Sequence, residues 1–118
     1  MTNEKILQEL KLLDIDVDTS LIRFLNNTDM YIKYIKEFGS DNSIYDLEKY
    51  FTHKEWQKAF EKAHTLKGIT GNLGILTLYD KFSKICIAYR KNNFEEMKKI
   101  YAKTKREYED MCKHIAKF

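Results

Sequence analysis

The chain contains no proline and only four glycines among its 118 residues. Proline interrupts helices and glycine weakens their interiors, so a chain with so little of either can form long uninterrupted helices. Apolar residues recur at three- and four-residue steps along most of the length, which is the spacing of an amphipathic helix. Nothing divides the sequence into the short segments that are typical of strands. The sequence therefore predicts an all-α fold.

The expected helices are separated by turn residues and capping signals. Gly39 stands where a left-handed C-terminal residue is usual, but the apolar spacing resumes at Ile44, so the stretch 39–42 is either a break or a kink. Thr52 and Glu55 have the T-x-x-E spacing of a capping box, which predicts that a helix begins there. The predicted helices run from a cap at Asn3 to about Leu13, from a cap at Asp18 or Thr19 to Leu25, from Thr28 to Gly39, from a cap at Asp41 to Phe51, from Thr52 to the break at 72–74, and from about Ile75 or Thr77 to Lys91. The last helix runs to the C-terminus from Asn93, which with Glu96 repeats the capping arrangement.

Four of these patterns are long and are joined by short turns, which makes neighbouring helices antiparallel. We expect an antiparallel up-and-down four-helix bundle with one or two short N-terminal helices packed on it. A chain of this length can bury one core without disulfides or metals, and it contains no linker or repeat. Residues 1–118 are therefore expected to form a single domain, and a monomer.

Composition excludes several classes of function. The net charge is +3 and the lysines are scattered between glutamates, so no basic stripe for nucleic acid is visible. No apolar run is long enough to span a bilayer, and the N-terminus has no leader-like segment. Cys86 and Cys112 lie in apolar helical patterns without ligand spacing, which indicates reduced thiols and a cytoplasmic protein. No metal-binding motif occurs, so no metal and no other cofactor is expected.

One stretch, from Thr52 to Gly74, carries a candidate site around His64. A helical projection gathers the buried face on one side, formed by Trp56, Ala59, Ala63, Leu66 and Thr70. His64, Gly68 and Gly71 lie about 90° or more from the middle of that face, and Lys67 lies at its boundary. His53 and His114 lack this context and are interpreted as solvated residues.

The neighbours of His64 suit a phosphoryl group. Each glycine costs about 1 kcal/mol in a helix interior relative to alanine, so Gly68 and Gly71 are not there for the helix itself. They would leave a strip of bare backbone on which another protein could approach the ring. Lys67 is three residues beyond His64, within helical reach of the same ring, and offers an ammonium to an anion. Histidine is a good nucleophile near pH 7, so the arrangement predicts a phosphohistidine site.

The segment His64–Gly74, HTLKGITGNLG, resembles the signature of histidine-containing phosphotransfer (HPt) domains of two-component phosphorelays. The opening LKLLDIDVDTSLIRF is similar to the N-terminal region of that family. The resemblance implies that His64 is phosphorylated on Nε2 and that Lys67 contacts the phosphoryl oxygens. The implied partner is the receiver domain of a response regulator or hybrid histidine kinase, which supplies the Mg²⁺-dependent chemistry. The protein would be a phosphocarrier and not an enzyme.

Two residues depart from the family pattern, since Ile69 replaces a small residue and Phe60 replaces a polar one. We expect Phe60, Glu61, Gly68 and Gly71 to contribute to partner docking, and Glu61 could also orient the imidazole. Two alternatives remain open: a receiver-binding module that transfers nothing, and the phosphoacceptor domain of a larger histidine kinase. Intact His64 and Lys67 argue against the first, and the initiating Met1 argues weakly against the second.

Overall fold

The computed structural model describes all 118 residues, which form seven α-helices and no strand. The all-α prediction is confirmed. The helices are α1 (Asn3–Leu12), α2 (Val17–Arg23), α3 (Thr28–Gly39), α4 (Ser43–Thr52), α5 (Trp56–Leu73), α6 (Leu76–Arg90) and α7 (Phe94–Ile115). None of them is both long and apolar enough to cross a bilayer.

The first two helices begin at caps other than the predicted ones. Thr2 caps α1 by accepting a hydrogen bond from the backbone N–H of Lys5, and Asp16 caps α2 by accepting one from Thr19. Asn3 lies inside α1 instead, where its amide donates to Asp29 of α3. Several residues suited to capping stand close together in both places. Only the backbone path decides which side-chain oxygen reaches the free N–H groups.

Gly39 does not take the left-handed conformation that was predicted for it. It is the last residue of α3, and a Cβ there would lie 2.6 Å from Cγ2 of Ile115 in α7. The glycine therefore permits close packing of α7 against the end of α3. The stretch 39–42 is a break and not a kink, because α4 begins at Ser43, whose N–H donates to the Asp41 carboxylate.

The predicted capping box at Thr52 and Glu55 is wrong. Thr52 is the last residue of α4, and its hydroxyl donates to the carbonyl of Glu48 at 2.8 Å. The next helix begins only at Trp56, and its preceding residue, Glu55, makes no side-chain capping bond. The apolar pattern of α4 explains why Thr52 does not begin a new helix. Helix α4 continues through Thr52, and this keeps the Phe51 side chain buried in the core. The capping prediction at Asn93 is confirmed, because Asn93 accepts a hydrogen bond from the N–H of Glu96.

A single cluster of buried apolar side chains joins all seven helices. Helix α5 packs against α4 on one side and α6 on the other, and α7 packs against α6 and α3. On α5 the predicted inner face is buried at Ala59, Ala63, Leu66 and Thr70. Trp56 is half-buried and stacks on Phe94 of α7 with the ring centroids 4.8 Å apart. The outer face of α5 is left for the candidate site.

The C-terminal end of α5 is held by hydrogen bonds from α2 and α3. The Arg23 guanidinium donates to the carbonyl of Gly71 at 2.9 Å, and the buried hydroxyl of Tyr31 donates to that of Leu73 at 2.8 Å. The carbonyls at a helix end lack their usual partners inside the helix, and these bonds supply donors there; the Gly71 carbonyl also accepts from the N–H of Gly74. Burial raises the pKa of Tyr31 to about 12, which keeps its hydroxyl a donor.

Both cysteines are unpaired, and neither is set up as a reactive thiol. Cys86 is buried in α6 and Cys112 is half-buried in α7. Burial raises the pKa of Cys86, and it raises that of Cys112 to about 11. The thiolate is the reactive form, so both side chains behave as small apolar residues near neutral pH.

Candidate functional site

The imidazole of His64 is exposed on the outer face of α5. Neither ring nitrogen makes a hydrogen bond to another residue of the protein. Both nitrogens are therefore accessible, and one can attack an electrophile without first breaking an internal bond. The side chain is available for chemistry and is not held as a structural hydrogen-bonding group.

Phe60, one turn before His64, is held beside it by residues of α6. Its ring is half-buried, and its centroid lies 6.0 Å from that of the imidazole. It stacks on Tyr89 at 4.5 Å, and the guanidinium carbon of Arg90 lies 5.3 Å from its centroid. This three-residue stack fixes one wall of the site with an apolar surface and a positive charge beside it.

Lys67 lies on the same side of the site, toward α6. Its Nζ is 5.8 Å from the centroid of the Tyr79 ring, and no carboxylate lies within 4 Å of it. Because a cation over an aromatic face keeps hydrogen-bonding capacity that an ion pair would use, the ammonium remains free for an anion. Its stem is half-buried, which limits the directions in which the charge can point.

Glu61 is exposed beside the ring but does not orient it. Its carboxylate accepts a hydrogen bond from the amide of Gln57 at 3.3 Å, and no bond joins it to His64. The suggestion that Glu61 fixes the imidazole is therefore not realised in this structure. Its predicted contribution to docking stays a prediction.

The two glycines that the sequence grouped together have different surroundings. A Cβ on Gly68 would meet no atom within 4 Å, so its face is open. A Cβ on Gly71 would lie 3.0 Å from Cδ2 of Tyr79, so that face is covered by an aromatic ring. The bare backbone beside His64 is thus limited to the turn at Gly68. The absence of a side chain at Gly71 lets the Tyr79 ring pack against the backbone of α5.

Ile69 points to the other flank of α5. It is 37 % exposed and lines a cleft of about 450 Å³ with Phe24, Tyr34 and Leu73. The Ile69 side chain therefore does not pack into the core in place of a small residue. It does not stand between Phe60 and His64 either. The cleft is on the side of α5 that faces α3.

Three site residues were not predicted from the sequence, namely Tyr79, Tyr89 and Arg90 of α6. A signal for them existed. Helices α5 and α6 are joined by a two-residue turn, so residues equally distant from that turn face each other. Phe60 and Tyr89 are each 14 residues from it, and they form the stacked pair. Counting outward from the turn would therefore have placed Tyr89 opposite Phe60, with Arg90 next to it.

The other two histidines are not part of the site. His53 follows the end of α4 and His114 lies in the last turn of α7, and both are exposed. No group of three or more His, Cys, Asp or Glu side chains is arranged to hold a metal ion. The candidate site is therefore built from Phe60, His64, Lys67 and Gly68 of α5 together with side chains of α6.

Comparisons with protein-family models, with curated proteins and with solved structures found no match to this chain.

Proposed function

We propose that this protein is a histidine phosphocarrier that accepts a phosphoryl group on His64 from the aspartate of a receiver domain and passes it to another. The observation that carries the proposal is an exposed imidazole with both nitrogens free, beside the unpaired Lys67 and the open face of Gly68. The resemblance of residues 64–74 to the HPt signature supports the same function and suggests the family.

The proposed transfer needs little from the phosphocarrier itself. Nε2 of a neutral imidazole attacks the phosphorus atom of an aspartyl phosphate, the N–P bond forms, and the P–O bond breaks. The bonding electrons leave with the aspartate, which becomes a carboxylate, and the reverse step regenerates the acyl phosphate. Positioning and charge neutralisation dominate such reactions, and the receiver's Mg²⁺ would supply most of the positive charge. Lys67 would stabilise the remaining charge on the phosphoryl oxygens.

We also propose that α4, α5, α6 and α7 form an antiparallel up-and-down bundle of four helices. Each helix in this series packs on the next, and α4 also contacts α7. Only two or three residues join consecutive members, which favours antiparallel neighbours. The bundle would present the outer face of α5 as a rigid docking surface, with α2 and α3 holding the end of that helix.

A second candidate is a receiver-binding module that transfers nothing. The free nitrogens of His64 and the unpaired Lys67 favour transfer over this alternative, because binding alone needs neither. The site is equally compatible with the phosphoacceptor domain of a larger histidine kinase, which would perform the same chemistry.

The test is a phosphotransfer profile. Each receiver domain of the source genome is phosphorylated with radiolabelled acetyl phosphate in the presence of Mg²⁺, which releases acetate, and is then mixed with the purified protein. We expect at least one receiver to lose label rapidly while the protein gains an acid-labile, alkali-stable label, the behaviour of an N-phosphoryl bond. Saturable receiver binding without label on the protein would favour the non-transferring module.

Gly68→Gln is expected to weaken transfer without unfolding the protein. The new side chain would project into the open approach beside His64, where the receiver must come close. We expect kcat/KM for transfer to fall about tenfold, while Gly68→Ala, which adds only a methyl group, has a smaller effect. Circular dichroism checks the helix content of both variants. Unchanged transfer in Gly68→Gln would show that the partner docks elsewhere.

Lys67→Ala is expected to slow transfer about 10²-fold, because it removes a charge that acts on the developing phosphoryl oxygens. Receiver binding, measured with unphosphorylated receiver, should change much less. Lys62→Ala is the matched control, since Lys62 is a half-buried lysine on the opposite flank of α5 that pairs with Asp46. A proportional loss of binding and transfer would mean that Lys67 serves docking alone.

A further inference from the structure

A second surface of the molecule, the groove between α6 and α7, carries a concentration of positive charge. We call it the lysine groove. It has a volume of about 760 Å³ and is lined by five lysines and one glutamate. The lysines are Lys81, Lys84, Lys91, Lys99 and Lys103. The lining carries +4 and the whole chain +3, so the rest of the molecule carries −1. The sequence gives no sign of this, because lysines that are scattered along two helices meet only when the helices pack.

Most of this charge is not neutralised within the protein. Lys81 pairs with Glu107 at 3.2 Å and Lys84 with Asp80 at 2.9 Å. Lys91, Lys99 and Lys103 have no carboxylate within 4 Å. Three ammonium groups of like sign along one groove repel each other, and a partner of opposite charge relieves that repulsion.

The groove also has an apolar lining, which we call its floor. It is formed by Ile87 and Ala88 of α6 and by Ile100 of α7. Ile87 is 48 % exposed, so its side chain is open to a ligand in the groove. An apolar floor between charged walls fits a ligand that has both an apolar stripe and negative flanks.

We propose that the lysine groove binds an acidic amphipathic helix of a partner protein. The helix would lie along α6 and α7 with aliphatic side chains on Ile87 and Ile100. Its Asp and Glu side chains would reach Lys91, Lys99 and Lys103. This surface is separate from the His64 face and does not depend on the phosphocarrier function.

Two other kinds of occupant fit less well. Single-stranded nucleic acid is bound by stacking bases on aromatic side chains, and no aromatic residue lines this groove. Membrane binding by a helical surface needs several large apolar side chains that project into the lipid, whereas Ile87 is the one large exposed apolar side chain that lines this groove. Concavity, the apolar floor and positive walls together favour a helix.

The experiment uses the full chain and a fluorescent 18-residue peptide in which leucine recurs at helical spacing and glutamate fills the other positions. We expect saturable binding by fluorescence anisotropy that weakens with salt, and amide NMR shifts confined to α6 and α7. The triple variant Lys91→Gln, Lys99→Gln and Lys103→Gln should bind about tenfold more weakly. The control, Lys33→Gln, Lys36→Gln and Lys49→Gln, removes the same charge from α3 and α4 and should bind as the unmodified protein does.

Three results would overturn the proposal. The first is no binding, or equal binding of a peptide of the same composition in scrambled order. The second is an equal loss of affinity in both triple variants, which would indicate a general charge effect. The third is binding to phosphatidylserine vesicles or to an oligothymidylate that is tighter than binding to the peptide and that is lost in the Lys91, Lys99 and Lys103 triple variant. That result would assign the groove to lipid or nucleic acid.

Discussion

Replacing His64 with glutamine is expected to abolish acid-labile labelling of the protein by a phosphorylated receiver domain. Glutamine has a similar length and polarity, but its amide nitrogen is not a nucleophile and cannot form the N–P bond. The histidine is exposed and makes no internal hydrogen bond. Its replacement should therefore change the free energy of unfolding by no more than about 0.5 kcal/mol relative to the unmodified protein. Transfer is measured by loss of label from the receiver and gain of label on the variant.

The chain supplies its own controls for this experiment. His53 and His114 are also exposed, one next to α4 and the other at the end of α7. His53→Gln and His114→Gln should accept label at the rate of the unmodified protein. Label that persists in His64→Gln and disappears in either control would assign the phosphoacceptor to another histidine.

The part of the site that lies on one helix could be predicted from the sequence. Helical periodicity indicates which side of α5 is buried, because apolar residues recur on that side at every turn and polar residues on the other. The exposed position of His64 and the burial of Ala63 and Leu66 on its helix follow from that spacing. The start of α5 was predicted four residues too early, because the capping signal at Thr52 competes with the apolar pattern of α4.

The surroundings of the glycines could not be predicted in this way. Gly68 and Gly71 are three residues apart on one face, yet one faces open space and the other is covered by Tyr79. Gly39 ends α3 as predicted, but it is not left-handed, and its missing side chain makes room for Ile115, which is 76 residues away in the sequence. The reason for a glycine is often the side chain opposite it, and that side chain belongs to another element of the fold.

Contacts between different helices set the general limit on what could be predicted from the sequence. Arg90 and Tyr89 border the candidate site because α6 returns along α5, and the lysine groove exists because α7 returns along α6. Neither surface is a property of one segment. The turn lengths determine which residues of consecutive helices face each other, so the α5–α6 pairing could have been predicted from the sequence. The close approach of Gly74 to α2 was not, since it depends on a contact between distant segments.

Replacing Gly74 with alanine is expected to lower the free energy of unfolding by about 2–4 kcal/mol. Gly74 follows the last residue of α5 and has a φ of 80°, a left-handed conformation that costs an alanine about 1 kcal/mol or more. In addition, a Cβ would lie 2.5 Å from the Asp16 carbonyl oxygen and 2.5 Å from Oγ of Ser20. That carbonyl is main chain, so α2 must shift, and with it the Arg23 bonds to the end of α5. Urea denaturation followed by circular dichroism measures the loss.

Two variants separate these causes. Gly68→Ala is the control, because Gly68 lies inside the helix with open space at its Cβ position, and alanine there should raise stability by about 0.5–1 kcal/mol. Gly74→Asn distinguishes strain from collision, because asparagine tolerates positive φ but still has a Cβ. If collision with Asp16 dominates, Gly74→Asn is nearly as unstable as Gly74→Ala. If Gly74→Ala loses less than about 1 kcal/mol, the close approach of α2 to the end of α5 is not a constraint, and the fixed orientation of the His64 helix must have another source.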